Sequence, residues 1–451
     1  MATDSRFDIL FQPMKLGPVT AKNRFYQVPH CTGMGYERPR TLAAMRGMKA
    51  EGGWGVVCTE YCSIHPTSDE TPYPFATLWD DDDVRNHAAM TDAVHAHGAL
   101  AGVELWVSGD HSANLTSRRV PFALNGRHVG MPDPVQTRSL DAADIRDIRR
   151  WHVAAAKRAI TAGFDIVYVY AAHHYLLSTM LNPALNRRTD EYGGSAANRV
   201  RLVRELLEEV KATVGHRCAV ALRWSIEDDD GAITDDRLEM TSLLAGLPDL
   251  WDVTIADYSV EMGSSRYVKE GSLEARVKRI REVVREPVVT VGRYTSPESM
   301  LRLVKSGTAD FIGAARPSIA DPFIPTKIRE GRFDDIRECI GCNFCYAHNS
   351  RGVPIRCTQN PSMGEEWRRG WHPERIAPRG ADASVLVIGA GPAGLEAARA
   401  LGQRGYRVTL AEAQRTAGGR VTRESALPGL TEWVRVRDWR LTQIGKMANV
   451  D

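Results

Sequence analysis

The chain has 451 residues, 43% hydrophobic and 25% charged, with a net charge of +2, so it is an ordinary globular composition with room for one large domain and a smaller one, and nothing favours nucleic acid or another polyanion. The N-terminus, Met1-Ala2-Thr3-Asp4-Ser5-Arg6-Phe7, lacks the apolar stretch of a secretory signal, and no apolar run reaches the ~18 residues of a membrane span. Outside one motif the cysteines (Cys31, Cys58, Cys62, Cys218) form no disulfide pattern, so a reducing, cytoplasmic setting is expected.

In chain order, residues 24–323 read as eight strand-then-helix units. The candidate strands are Arg24–His30, Trp54–Glu60, Leu100–Trp106, Asp165–Tyr170, Cys218–Arg223, Trp251–Ile255, Pro287–Gly292 and Ala309–Gly313. Each is a short apolar run without clean alternation, as expected of strands buried on both faces. Helical periodicity fills the intervals, for example Ala142–Ala162, Ala196–Val214 and Ser296–Ser306. In the last of these Ser296-Pro297-Glu298 supplies a cap and a first-turn proline. The expected architecture is an α/β (β/α)8 barrel over 1–330, a connector over 331–380 and a partial Rossmann-like domain over 381–451.

The connector carries Cys339-Ile340-Gly341-Cys342-Asn343-Phe344-Cys345, then Cys357 after eleven further residues. Four thiolates in a 3+1 arrangement match a [4Fe–4S] cluster better than two irons or zinc, since zinc sites usually split into CxxC pairs. In the last region Ser384–Ile388 is a strand leading into Gly389-Ala390-Gly391-Pro392-Ala393-Gly394. The helix Leu395–Gln403, the strand Tyr406–Leu410 and Glu412 follow. This is a dinucleotide fingerprint in its required context. The glycines admit a pyrophosphate, and a carboxylate at Glu412 can bind a ribose hydroxyl. Only about 40 residues follow Glu412, fewer than a complete domain of this type needs, hence the expectation of a partial one.

Barrel active sites form at the C-terminal ends of the strands. Those ends hold Cys31, Tyr61, Glu104, Tyr170 with His173, Arg223, Asp257, Arg293 and Arg316. Gly292-Arg293 and Gly313-Ala314-Ala315-Arg316 follow strands seven and eight, where barrels commonly hold a phosphate; small residues bare backbone N–H groups and arginine adds a charged fork. FMN fits such a pair. Arg223 then lies near the pyrimidine side of the ring and Glu104 accepts from a ring N–H.

The chain resembles the iron–sulfur flavoproteins that include trimethylamine, dimethylamine and histamine dehydrogenases, with 2,4-dienoyl-CoA reductase and old yellow enzyme as more distant relatives. The resemblance rests on Arg24-Phe25-Tyr26-Gln27-Val28-Pro29-His30-Cys31, Gly163–Tyr170, Arg187–Gly194, Ala315–Pro322 and the cysteine motif, and it runs from Phe11 to Leu430. It implies a covalent link from Cys31 to FMN, with Pro29 and Ala315 also at the flavin. It implies a substrate-side pair, Tyr170 and His173, cluster ligands Cys339, Cys342, Cys345 and Cys357, and an ADP or FAD site at Gly389, Gly391, Gly394 and Glu412. It also implies a homodimer that passes electrons to an external carrier.

Three departures from the family's pattern stand out. The loop Asp257-Tyr258-Ser259-Val260-Glu261-Met262-Gly263 is shorter than the family's, so the third catalytic residue is expected at Asp257, or else at Glu261. Tyr61 of the family's aromatic bowl is kept, but the tryptophan near His348-Asn349 is absent, which points to a bulkier or more polar N-methylated amine. Arg435 replaces a surface tyrosine linked to electron exit. The expected function is oxidation of a C–N bond in a secondary or tertiary amine. The alternatives are an NAD(P)H-dependent enoate or dienoyl reductase and a non-catalytic electron-transfer subunit.

Overall fold

A computed structural model describes residues 4–130, 133–228, 231–349 and 351–451. Eight parallel strands close into a barrel: β1 (Phe25–Gln27), β2 (Val56–Ser63), β3 (Leu100–Trp106), β4 (Ile166–Ala171), β5 (Ala219–Ser225), β6 (Leu250–Thr254), β7 (Val288–Thr290) and β8 (Phe311–Ala314). Closure is made by β1, which pairs with both β8 and β2. The runs lack alternation because both faces are covered: every residue of β2, β4, β5 and β6 is buried.

Two strands are shorter than their apolar runs. Neither Pro29 nor Pro287 has an N–H to give a ladder, so β1 ends at Gln27 and β7 starts at Val288. Helices α1 (Pro39–Glu51), α2 (Asp81–His95), α3 (Ala142–Thr161), α4 (Arg201–Val214), α5 (Asp235–Leu244), α6 (Glu274–Val283) and α7 (Pro297–Lys305) wrap the outside, with the short helices Arg316–Ala320 and Ile324–Arg329 after β8. On α4 the buried residues Leu202, Val203, Leu206, Leu207, Val210 and Val214 recur at helical spacing. The helix predicted over Ala196–Val214 is in fact two, Ala196–Arg199 and α4. Ser296 caps α7 by accepting the Ser299 N–H, with Pro297 in the first turn. A hairpin of Met14–Leu16 and Val19–Ala21 lies before the barrel, and Phe7, Leu10 and Leu16 join the main core.

The C-terminal region holds two parallel strands, β9 (Ser384–Ile388) and β10 (Arg407–Ala411), with α8 (Pro392–Gln403) and α9 (Arg435–Gly445) packed together. Helix α8 starts at Pro392, earlier than the predicted Leu395, because proline suits the first helical turn. Gly394 is required here: a Cβ on it would meet the Gly389 carbonyl at 1.9 Å. This is the tight strand–helix packing of a nucleotide fold. Arg293 of the barrel ties the two regions together through a fork to Glu432, with N–O distances of 2.7 and 3.2 Å. Among the described residues no helix is long and apolar enough to cross a membrane.

Candidate active site

Strand register builds the floor of the site. Arg223 of β5 sits opposite Tyr170 of β4 on one side and Asp252 of β6 on the other, and Glu104 of β3 sits opposite Tyr61 of β2. A cavity of about 840 Å³ opens above them. Pro29, Cys31, Tyr61, Glu104, Tyr170, His173, Arg223, Arg293, Ala315 and Arg316 all line it.

Arg223 is buried and lies 3.7 Å from both Glu104 and Asp252, and its Nη1 donates to the Pro29 carbonyl at 3.4 Å. Its Nε and the Oε1 of Glu104 have no hydrogen-bond partner. Burial pushes the Glu104 carboxyl up to about 8 and that of Asp252 up to about 6, although Arg223 pulls both down. A buried donor and acceptor without partners, on residues that line the cavity, suit a planar ligand with its own N–H and C=O groups. These residues therefore fit the polar edge of a flavin. Asp252 was missed in the sequence reading, although a carboxylate inside an otherwise apolar strand is itself a signal.

The loop after β4 carries His173 and His174, both at positive φ (61° and 60°). For non-glycine residues this costs about 1–3 kcal/mol each, and such strain concentrates at functional sites. The Tyr170 hydroxyl is 2.5 Å from His173 Nδ1. On the other side of the ring, His173 Nε2 is 3.2 Å from Thr254 Oγ1 and 3.5 Å from Glu261 Oε2. The Thr254 hydroxyl donates to the same Glu261 oxygen. With acceptors at Nε2, the ring carries its proton there and offers the Nδ1 lone pair to Tyr170. Burial lowers the His173 pKa. Burial works against ionised Glu261, but hydrogen bonds and charge from His173, the charge of Arg223 and the Thr254 hydrogen bond outweigh it and bring the carboxyl down to about 2.

Asp257, expected as the third member, makes no hydrogen bond or ion pair to His173 among the described residues. It caps the short helix Tyr258–Glu261, accepting the Ser259 N–H at 2.7 Å. One helical turn later, Glu261 is the carboxylate that reaches His173.

An aromatic cage of Tyr61, Trp106, Tyr170 and Tyr175 adjoins this relay, with Cys31 and Phe75 packed against it. Tyr61 lies 4.7 Å from Trp106, 5.9 Å from Tyr175 and 6.4 Å from Tyr170, ring centre to ring centre. Tyr258 lies 5.9 Å from His173 and 6.5 Å from Tyr346, and both tyrosines line the cavity. They add aromatic surface to the cavity wall. Burial above all, then the negative charges of Glu60, Glu70 and Glu104, hold the Cys31 thiol protonated. Thr32, beside Cys31, donates its N–H to Glu60 at 2.8 Å, which fixes the loop.

The two arginines read as phosphate ligands differ. The charge of Arg293 is matched by Glu432. Arg316 donates to the carbonyls of Met262, Gly263 and Glu261 and to Asn343 Oδ1, all neutral oxygens. Among the described residues Arg316 makes no ion pair, so of these two arginines its charge is the one available to an anion.

Cys339, Cys342, Cys345 and Cys357 line one small void together with Arg316. The sulfur of Cys339 accepts the Gly341 N–H at 3.4 Å, and that of Cys357 accepts the Gln359 N–H at 3.3 Å. Burial raises the Cys339 and Cys345 thiols and pushes Cys357 up to about 12, while Arg316 pulls Cys339 and Cys345 back. Four thiols facing one void, with backbone N–H groups on the sulfurs of Cys339 and Cys357 and the Arg316 charge beside them, fit an anionic iron–sulfur cluster. Among the described residues no three His, Cys, Asp or Glu side chains are grouped to hold a single metal ion. Cys345, Arg316 and Ile319 line both this void and the large cavity, so one wall separates the two. Arg435 donates to the Cys339 carbonyl at 3.3 Å and pairs with Glu338 at 3.1 Å, which places it against the cysteine loop.

At the C-terminal fingerprint, Glu412 accepts the N–H groups of Ala390 (2.7 Å) and Gln414 (2.9 Å). It braces the turn between Gly389 and Gly391.

A family profile described as "NADH:flavin oxidoreductase / NADH oxidase family" matches residues 9–335, and one described as "NAD(P)-binding Rossmann-like domain" matches residues 387–438. The chain is 47% identical to dimethylamine dehydrogenase of Hyphomicrobium sp. (strain x), over 99% of this chain and 63% of that protein. Histamine dehydrogenase from Rhizobium sp. 4-9 superimposes with a TM-score of 0.96 at 51% identity, covering 99% of this chain and 66% of the other. For 6-hydroxypseudooxynicotine amine oxidase from Pseudomonas geniculata N1 the values are 0.97, 49%, 100% and 68%. The chain thus spans about two thirds of the length of these relatives. The first profile covers the whole closed barrel and most of the residues that line the cavity, and on that ground this chain belongs to the NADH:flavin oxidoreductase / NADH oxidase family.

Proposed function

We propose that this protein oxidises a C–N bond of a secondary or tertiary, N-methylated amine with FMN and a [4Fe–4S] cluster, and passes the electrons to an external carrier. The observation that carries this reading is the Tyr170–His173–Glu261 relay opening onto an aromatic cage beside Cys31. Relatives named as dimethylamine dehydrogenase and histamine dehydrogenase support it. When bound, FMN takes up the two electrons and hydrogen lost by the amine, and the cluster carries electrons away singly.

This chain's residues do the rest. Arg223 and Glu104 hold the polar edge of the ring, and the positive charge of Arg223 favours negative charge there. Cys31 supplies the covalent anchor. Arg316 holds phosphate charge, and Cys339, Cys342, Cys345 and Cys357 hold the cluster. Gly389, Gly391, Gly394 and Glu412 take ADP or FAD. The cage rings attract a substituted ammonium. Tyr170 and His173 accept its proton, because only the neutral amine has a lone pair to assist loss of hydrogen from the neighbouring carbon. Water then converts the imine product to an aldehyde and a smaller amine. Arg435, hydrogen-bonded from α9 to the cysteine loop, marks the exit side toward the carrier. We place the protein in the cytoplasm as a homodimer.

The test is anaerobic addition of secondary and tertiary methylamines while flavin absorbance is followed. Bleaching by an amine is expected. Bleaching by NAD(P)H and by no amine would instead make the protein an enoate or dienoyl reductase.

A further inference from the structure

Most charged groups at the mouth of the cavity have an opposite partner. Glu104 faces Arg223, Glu261 faces His173, and Asp110 is bound by Arg127 and His111. Glu70 lines the same cavity without one. Among the described residues it makes no ion pair, and its carboxylate accepts only the Tyr61 hydroxyl, at 2.9 and 3.1 Å. Burial above all, then the negative charges of Glu60 and Asp69, push its carboxyl up to about 8 against the Tyr61 hydrogen bond, so no cation among the described residues holds it ionised.

The neighbouring Asp69 shows what a purely structural acid looks like in this loop. Its Oδ1 accepts from the Thr71 N–H at 2.9 Å and hydroxyl at 2.6 Å, and its Oδ2 accepts from the Ser117 N–H at 2.6 Å. Asp69 pins the loop, and Glu70 is presented from it toward the cavity. After burial itself, Glu70 is the largest influence raising the Tyr61 and Tyr175 phenols, and it also acts on Cys31 and Tyr258. Through the Tyr61 hydroxyl, from which it accepts, its carboxylate faces the cage. Tyr61 spans the gap, with its ring 6.4 Å from that of Tyr170 at the reacting end and its hydroxyl on Glu70 at the other.

We propose that Glu70 forms a second-cation subsite, and that the cavity takes an amine carrying another protonated nitrogen a short carbon chain away from the one oxidised. The first nitrogen sits in the cage beside Tyr170 and His173, and the second gives its N–H groups to Glu70. A carboxylate held among aromatic rings costs free energy unless a cation meets it, and a substrate ammonium is a charge-assisted partner for it.

The inference rests on the amine-oxidation reading, and the test separates the two. Dimethylaminopropylamine and its isostere N,N-dimethylbutylamine differ only in the second nitrogen. Calorimetric titration of the anaerobic holoenzyme measures affinity for each, and flavin bleaching in the same samples reports oxidation. The diamine is expected to bind on the order of 10- to 100-fold more tightly, the span of a hydrogen bond to a charged group. Glu70→Gln should erase that preference, read as the ratio of diamine to monoamine affinity within the same variant, which cancels any change in how Tyr61 is held. Glu70→Asp should retain part of it. Equal affinity in the wild type, or a preference that survives Glu70→Gln, overturns the subsite. Tight diamine binding without bleaching upholds the subsite and overturns amine oxidation. Bleaching by both amines with no preference does the reverse.

Discussion

Glu261→Gln is expected to slow amine-driven flavin reduction by roughly 10²- to 10⁴-fold, the range for a disabled acid–base group, with flavin and iron content unchanged. Glu261 accepts from Thr254 and lies 3.5 Å from His173 Nε2, so it keeps the imidazole proton on that nitrogen. The Nδ1 lone pair is then available to Tyr170, 2.5 Å away. An amide at position 261 presents an N–H as well as an oxygen. It can stabilise the opposite tautomer, and Tyr170 then meets a donor where it needs an acceptor. Asp257→Asn is the control. Asparagine caps helices about as well as aspartate, and among the described residues Asp257 caps Tyr258–Glu261 with no hydrogen bond or ion pair to His173, so reduction should be far less affected. Stopped-flow absorbance measures both variants. The pH dependence follows from the same residue. The folded Glu261 pKa of about 2 lies below its ordinary 4.5, so the ionised carboxylate adds stability that is fully present above 4.5 and is lost as pH falls toward 2. Acid unfolding of Glu261→Gln should lack that component.

Cys345→Ala is expected to strip iron from the protein and uncouple its two redox centres. Cys345 is the one thiol of the four that lines both the large cavity and the cysteine void. Three remaining thiols leave one iron of a cube without a protein ligand. Amine should still bleach the flavin, but a one-electron acceptor should no longer restore its colour at the wild-type rate. Iron analysis together with reoxidation kinetics checks this. Full iron with normal reoxidation in the variant would remove Cys345 from the relay.

The barrel was legible because a strand buried on both faces has no choice but a continuous apolar run, and eight such runs separated by helical periodicity leave few alternatives. The ends of β1 and β7 were not read correctly because Pro29 and Pro287 look like part of the run until the ladder is counted. Tyr170, His173 and Arg223 were legible because they follow strand ends, and parallel register brings strand ends together. The third acid was harder. Asp257 and Glu261 lie four residues apart in a short loop, and which one returns to His173 depends on where the helical turn begins. An aspartate just before such a turn is a cap signal, and giving that more weight would have favoured Glu261. Glu70 sits in Ser68-Asp69-Glu70-Thr71, a stretch that reads like any solvated loop. The engagement of Arg293 by Glu432 joins residues 139 apart in the chain, and no local pattern announces it.

The central claim is that an amine's electrons enter at the barrel mouth and reach the four-cysteine site through the wall the two cavities share. Electron paramagnetic resonance of protein frozen after anaerobic mixing with a tertiary methylamine tests it most directly. A reduced iron–sulfur signal that grows as the flavin bleaches is the predicted result. Flavin bleached by amine while an intact cluster stays oxidised, or a cluster reduced only when NAD(P)H is added, would contradict the account.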